Sequence, residues 1–314
     1  MGWAGPPMAT RPVPSLSGRY RTLPERMNMS HEAPAAFHAS AVRPGAFGLV
    51  REAFDEVRSR RRLIRYLARA DLKKTGADTV FGNLWWILDP ILQMIVYVVL
   101  VTLIFRRSQP DFPLFIFGAI VPWKWFTSSI SEAITSVSGQ DRLIKQIKFP
   151  KIALPAATVV SGIVQFGFGL LTLAGMLVLL YPERITVTLL LIPLIAAVQL
   201  VFTMALALVL AALNVFFRDV VNLARHAMRL WFYLSPALYG AALVQELGQT
   251  QPLLAQLMKL NPFFTILEAY RSAIYFGTVP DFAALAVVLL VSVALLALGA
   301  IVFKQLEPSF AKVL

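Results

Sequence analysis

The 314-residue chain has no cysteine, only three histidines, and only 15% charged residues. Without cysteine it can form no disulfide, no thiolate metal site and no cysteine nucleophile. His31 and His38 lie in a proline-rich stretch, and His226 stands alone beside Arg225 and Arg229. The acids between apolar runs, Asp111, Glu183, Glu246, Glu268 and Asp281, form no pair. A membrane-embedded glycosyltransferase or acyltransferase needs a poised carboxylate or histidine, so these absences argue against one. There is also no G-x-x-x-x-G-K-[ST] phosphate loop, so active transport by this chain would draw its energy from elsewhere. No internal repeat suggests a secondary transporter.

Hydrocarbon takes the place of charge. The chain is 58% hydrophobic, against about 45–50% in soluble domains. A helix needs about 20 apolar residues to cross a bilayer. Six stretches qualify: Leu84–Phe105, Phe112–Ile130, Ile152–Tyr181, Ile185–Phe217, Leu223–Val244 and Phe282–Phe303. The expected fold is therefore an all-α polytopic membrane protein with six transmembrane helices.

The net charge of +12 is distributed unevenly. Of 29 lysines and arginines, 23 fall in residues 1–83, in the connections after spans two and four, or in the C-terminal tail. Basic loops stay on the cytoplasmic side, which places both termini there. The basic excess then follows from topology, and nucleic-acid binding is a poor explanation for it.

Residues 1–45 hold seven prolines and no helical period, the pattern of a disordered cytoplasmic tail. No apolar core follows their charges as in a signal peptide, and Met27 and Met29 offer alternative starts. Residues 46–83 open with an amphipathic helix over 46–74 whose apolar face includes Phe47, Val50, Phe54, Val57, Ile64 and Leu67. Its arginines suit lipid phosphates, or the same face packs on a partner protein. A six-span domain over 84–304 and a cytoplasmic tail over 305–314 complete the chain. Between spans five and six, Gln245–Asp281 is too polar to span and too apolar for a free loop, so two short re-entrant outer helices are expected.

Several motifs resemble one family. Asp71-Leu72-Lys73-Lys74 and Phe81-Gly82-Asn83-Leu84-Trp85-Trp86-Ile87-Leu88-Asp89-Pro90 are similar to the start of ABC-2 type permeases that export lipid-linked polysaccharides. Pro122-Trp123-Lys124-Trp125-Phe126, Leu143-Ile144-Lys145-Gln146-Ile147-Lys148-Phe149-Pro150, Asn214-Val215-Phe216-Phe217-Arg218-Asp219-Val220, Ser235-Pro236 and Leu260-Asn261-Pro262 continue the match in order. It covers roughly residues 65–314 and looks closest to O-antigen and teichoic-acid exporters. A permease for a small hydrophobic molecule or drug is the alternative. The resemblance implies a homodimer in a bacterial inner (plasma) membrane, with two copies of a separate ABC ATPase. ATP and Mg would belong to that subunit, and no cofactor or metal to this chain.

The resemblance makes Arg142, Leu143, Ile144, Lys145, Ile147, Lys148 and Phe149 the ATPase-coupling segment, an amphipathic helix closed by Pro150. Arg218 and Asp219 form either a second ATPase contact or a helix-end ion pair. Lys124 lies mid-span among Trp123, Trp125 and Phe126. A buried ammonium costs at least ~2.5–3.5 kcal/mol, so it either faces a channel suited to sugar and phosphate or snorkels past a break at Pro122. Trp85 and Trp86 form an interfacial belt, or with Arg69 and Lys73 receive a lipid pyrophosphate at the cytoplasmic mouth. Tyr233 and Tyr239 line the channel or make structural hydrogen bonds around a Ser235-Pro236 kink. Glu268 and Arg271, at i and i+3, are expected to pair. By family likeness they join Asn261 and Pro262 in an outer gate.

Overall fold

The structure, a computed structural model, describes residues 45–76, 81–104, 110–147 and 149–314. The expected N-terminal disorder and Lys148 lie outside these residues. Among the described residues all regular structure is helical. Four helices are both long and apolar enough to cross a membrane: Trp85–Leu103, Ala153–Leu180, Val187–Phe216 and Phe282–Val313.

The amphipathic segment is two helices rather than one, α1 (Ala46–Ser59) and α2 (Arg61–Gly76). The bend at Arg60 keeps the arginine run in solvent while both helices bury small or branched residues. Ala53 of α1 and Ile64 and Ala68 of α2 are buried, the latter pair against Ala153, Ala156 and Ala157.

The apolar runs then give α3 (Trp85–Val99), α4 (Phe112–Ser136), the short α5 (Asp141–Gln146), α6 (Ala153–Leu180) and α7 (Ile192–Phe216). At 25 residues, α4 is ~37 Å long and continues through Pro122 without a break. The buried Gln199 side chain of α7 donates to the Pro122 carbonyl at 2.7 Å. α4 is central, packing on α3, α6, α7 and α8 (Val220–Leu234). Close approach to α6 depends on glycine, because a Cβ at Gly169 would lie 2.6 Å from Val121 Cγ1.

The fifth expected span is not one helix. α8 has 15 residues, ~22 Å, and ends where Pro236 forces Ser235 into an extended conformation. Val244 belongs to a separate α9 (Ala241–Thr250). The outer connection then holds α10 (Pro252–Lys259) and α11 (Pro262–Arg271), followed by a wider turn over Ser272–Phe276. α12 (Phe282–Val313) returns along α7. At Gly299 of α12 a Cβ would sit 2.9 Å from the Ala205 carbonyl.

The two ends of the bundle are tied by different polar groups. At the end expected to be cytoplasmic, Lys304 meets Glu52, Glu56 and Glu307, and the Lys151 backbone N–H donates to Glu307 at 2.8 Å. At the other end Arg184 donates to Asp111 at 2.6 Å, a contact that strengthens its hold on its proton. Nearby, Tyr275 donates to the Pro110 carbonyl.

Arg271 organises the outer end. It is fully buried, pairs with Glu268 at 2.8 Å, and donates to the carbonyls of Ala237 and Tyr239 at 2.7 and 2.9 Å. Its guanidinium lies 3.9 Å from the centre of the Phe115 ring. Burial weakens its hold on its proton, and the Glu268 carboxylate opposes that effect. Arg271→Met should destabilise the fold by about 3–5 kcal/mol, the cost of stranding a buried ionic partner, measured by denaturant unfolding in detergent. A loss under about 1 kcal/mol would show that the segment after α8 is held by other contacts.

Candidate functional site

The site is built on the face of α4. Lys124, Thr127, Ser128, Ser131, Glu132, Thr135 and Ser136 recur at helical spacing and form one polar stripe. The opposite face carries Phe126, Ile130, Ala133 and Ile134, all buried, with the buried Trp123 and Trp125 at the two edges of the stripe. A helix with this division cannot present its polar face to hydrocarbon without large cost, and here the stripe borders a cleft.

Three cavities follow the stripe. The largest, 440 Å³, lies between α2, α4 and α6, with Asp71, Glu132, Thr135 and Gln140 on its walls. A second, 190 Å³, is bordered by Trp85, Trp86, Asp89, Lys124, Glu132 and Gln165. A third, 340 Å³, adds Gln93, Thr127 and Ser131. Glu132 borders all three and Lys124 the last two. From Gln140 to Lys124 the path rises ~24 Å at 1.5 Å per residue, most of the thickness of a hydrocarbon core.

Its upper part is marked by an ion pair between Lys124 Nζ and Asp89 Oδ2 of α3. Lys124 thus has a carboxylate partner, and the helix that carries it continues through Pro122. Asp89 is the one charge in the first apolar run and Lys124 the one charge in the second, and that shared depth is the sequence signal for their pairing. Lower down, Gln165 donates to Glu132 at 3.5 Å, a long bond. Hydroxyls, amides and carboxylates on a path with aromatic walls can exchange hydrogen bonds with a polyhydroxylated chain while flat rings meet its apolar faces.

This membrane bundle has close relatives among known transporters. A family model described as ABC-2 type transporter matches residues 62–275. An O-antigen export system permease protein RfbA of Myxococcus xanthus is 34% identical over 266 residues, 84% of this chain and 98% of that protein. A protein of the same name from Klebsiella pneumoniae is 26% identical over 255 residues, 80% of this chain and 95% of its own. The chain belongs to the ABC-2 type transporter family. The matched segment contains α4, its stripe and α5; α1 and α12 lie outside it.

The other residues singled out in this ABC-2 permease fall into separate groups. Trp85 and Trp86 join Lys124 and Trp125 around one cavity, with Trp86 packed 5.1 Å from Phe168. Arg69 and Lys73 are exposed on α2, while its Leu67 and Asp71 face the lower cavity. Trp123 touches the third cavity, but Phe126 is buried among Phe202, Trp231 and Phe263 on the face of α4 opposite the path. Tyr233 is exposed, and its carbonyl accepts from the Tyr239 hydroxyl at 3.3 Å. Neither tyrosine borders the three cavities.

In the segment 142–149 only part of the apolar set is free. Ile144 is buried and Phe149 half-buried in the cluster that includes Ala53 and Ile152, so these two anchor α5 to its own chain. Arg142, Lys145 and Ile147 are exposed, and Leu143 is half-buried. Arg218 and Asp219 are exposed in the turn between α7 and α8. Asn261 is more than part of an outer motif. Its side-chain oxygen caps α11 at Phe263 and accepts from Trp231 Nε1 at 2.8 Å, and its amide donates to Ser235 at 2.8 Å. It thus joins two motifs that the sequence could only order, with Pro262 starting the helix.

Lys124→Ala should lower transport strongly, and Asp89→Asn with Lys124→Ala, which strands no charge in the apolar spans, should lower it too while the protein stays folded. The charge-reversed double variant Asp89→Lys, Lys124→Asp should recover part of the transport. Transport at the native level in Lys124→Ala, with expression matched, would mean that the pair only anchors α3 to α4.

Proposed function

We propose that this chain is the permease subunit of an ATP-driven exporter that moves a lipid-linked O-antigen-type polysaccharide out of the cytoplasm. The observation that carries the reading is the polar path along α4, lined by hydroxyl, amide and carboxylate groups with tryptophans at its upper part. It is supported by relatives named as O-antigen export permeases that align over nearly their whole length. A path of this polarity suits sugar hydroxyls better than a small hydrophobic molecule. With Lys124 paired to Asp89, and Asp71 and Glu132 along the wall, a neutral polysaccharide fits better than a phosphate-rich teichoic acid.

The chain passes the inner membrane six times in this reading, with α4 and α8 crossing in the shelter of the other helices and both termini cytoplasmic. Ser131 and Thr135 are exposed on the stripe, and a second copy of the chain would cover them from lipid. The working unit is thus a homodimer, joined by two copies of an ABC ATPase that bind ATP and Mg. Arg142, Lys145 and Ile147 dock on that subunit, with Arg218 and Asp219 as a second contact. Arg69 and Lys73 meet the carrier headgroup on its way to Trp85 and Trp86. Asn261, Pro262, Glu268 and Arg271 brace the outer mouth.

The test is reconstitution with the ATPase and a lipid-linked polysaccharide in vesicles. ATP should drive polymer across the membrane with the pair, and not with either subunit alone. Ile147→Asp combined with Lys145→Glu should remove the ATPase from purified complexes and abolish transport while leaving the permease folded. A double variant that still copurifies with the ATPase and couples normally would contradict this docking surface.

A further inference from the structure

Helix α1 does not lie flush on the bundle. Between it and α6, α7 and α12 is a cavity of 230 Å³ with apolar walls throughout, where Val50, Ala53 and Val57 face Met204, Leu208 and Ala297. No residue bordering the three polar cavities along α4 borders this one. Apolar cavities of about 150 Å³ already stay dry and accept a hydrocarbon guest, and water here would find no polar partner. Its rim residues Phe54 and Val293 are exposed, and the same side of α12 continues at the exposed Leu290. The cavity therefore opens sideways, onto a surface that hydrocarbon covers in a membrane.

One turn beyond Ala300 the surroundings become charged. Lys304 Nζ is 2.9 Å from both Glu52 and Glu56 and 2.8 Å from Glu307. Three carboxylates thus share one ammonium. Glu307 also accepts from the Lys151 backbone, but Glu56 Oε2 is buried with no partner and Glu52 is half exposed. Three carboxylates against one ammonium leave an excess of negative charge, which attracts a second cation at the exposed Glu52 and repels an anion.

We propose that this cavity holds one acyl chain of a bilayer phospholipid with a primary-amine headgroup, whose ammonium sits at the exposed carboxylate of Glu52. The lipid wedges α1 to the bundle where the Lys304 cluster also binds it. Its separation from the polar path assigns it to the bilayer rather than to the cargo's carrier.

Native mass spectrometry of the full-length chain, stripped of lipid in detergent and titrated, tests this. Phosphatidylethanolamine should bind as one tight equivalent per chain, ahead of phosphatidylglycerol with the same acyl chains. Ala297→Phe should weaken that binding about tenfold or more, the effect of excluding only two methylenes. Val293→Trp, at the exposed rim, should do the same and serves if Ala297→Phe does not fold. Glu52→Gln should remove the preference between the two lipids. Unchanged binding in both filling variants, phosphatidylglycerol binding as tightly as phosphatidylethanolamine, or equal displacement by a polyprenyl phosphate would each overturn the proposal.

Discussion

A helix that carries Lys124, Glu132 and a row of hydroxyls cannot face hydrocarbon, and the placement of the other long helices follows from that constraint. α4 packs on α6, α7, α8 and α11, while its polar face borders cavities shared with α2, α3 and α6. The strongly apolar helices can accept lipid on their outer sides, and they do: α3 exposes Leu92, Val96 and Leu103, and α12 exposes Val287 and Leu290. The bundle is thus inverted with respect to a soluble domain in its exterior only. Its interior is aromatic and tight, as Trp123, Phe126, Phe202, Trp231 and Phe263 show.

The polar groups at the two ends do different work. At the end that carries α11, Arg271, Asn261 and Arg184 hold an irregular connection whose backbone carbonyls would otherwise lack donors. At the opposite end the Lys304 cluster joins α1, α12 and the residues that follow α5. A force applied at α5 reaches α4 directly through their short connection, and reaches α1 through Ile144, packed in the same cluster as Ala53. The parts of the chain that would meet an ATPase, a lipid surface and a cargo are in this way mechanically continuous.

The all-helical class, four of the six expected spans and the family were readable from sequence because they rest on long runs and ordered motifs. The Glu268–Arg271 pair was readable from spacing alone. What escaped were features set by contacts between distant segments. Asp89 and Lys124 are 35 residues apart, and no local period links them. The stripe on α4 was hidden because Thr127, Ser128, Ser131, Thr135 and Ser136 are mild in hydropathy and were read as span interior or span end. The division of Ile144 from Ile147 depends on which side of a six-residue helix meets α1. Pro122 looked like a break, but the helix continues through it, with Gln199 bonded to its carbonyl.

The central claim is that the polar face of α4 is the path the cargo takes. Because the chain has no cysteine of its own, single cysteines can be placed along α4 and labelled from the aqueous side in membranes. Ser128→Cys, Ser131→Cys and Thr135→Cys should react with a small charged thiol reagent and be protected when lipid-linked polysaccharide is engaged. Phe126→Cys, Ile130→Cys and Ile134→Cys, on the buried face, should not react. Equal labelling of both faces, or polar-face labelling that cargo does not change, would contradict the account.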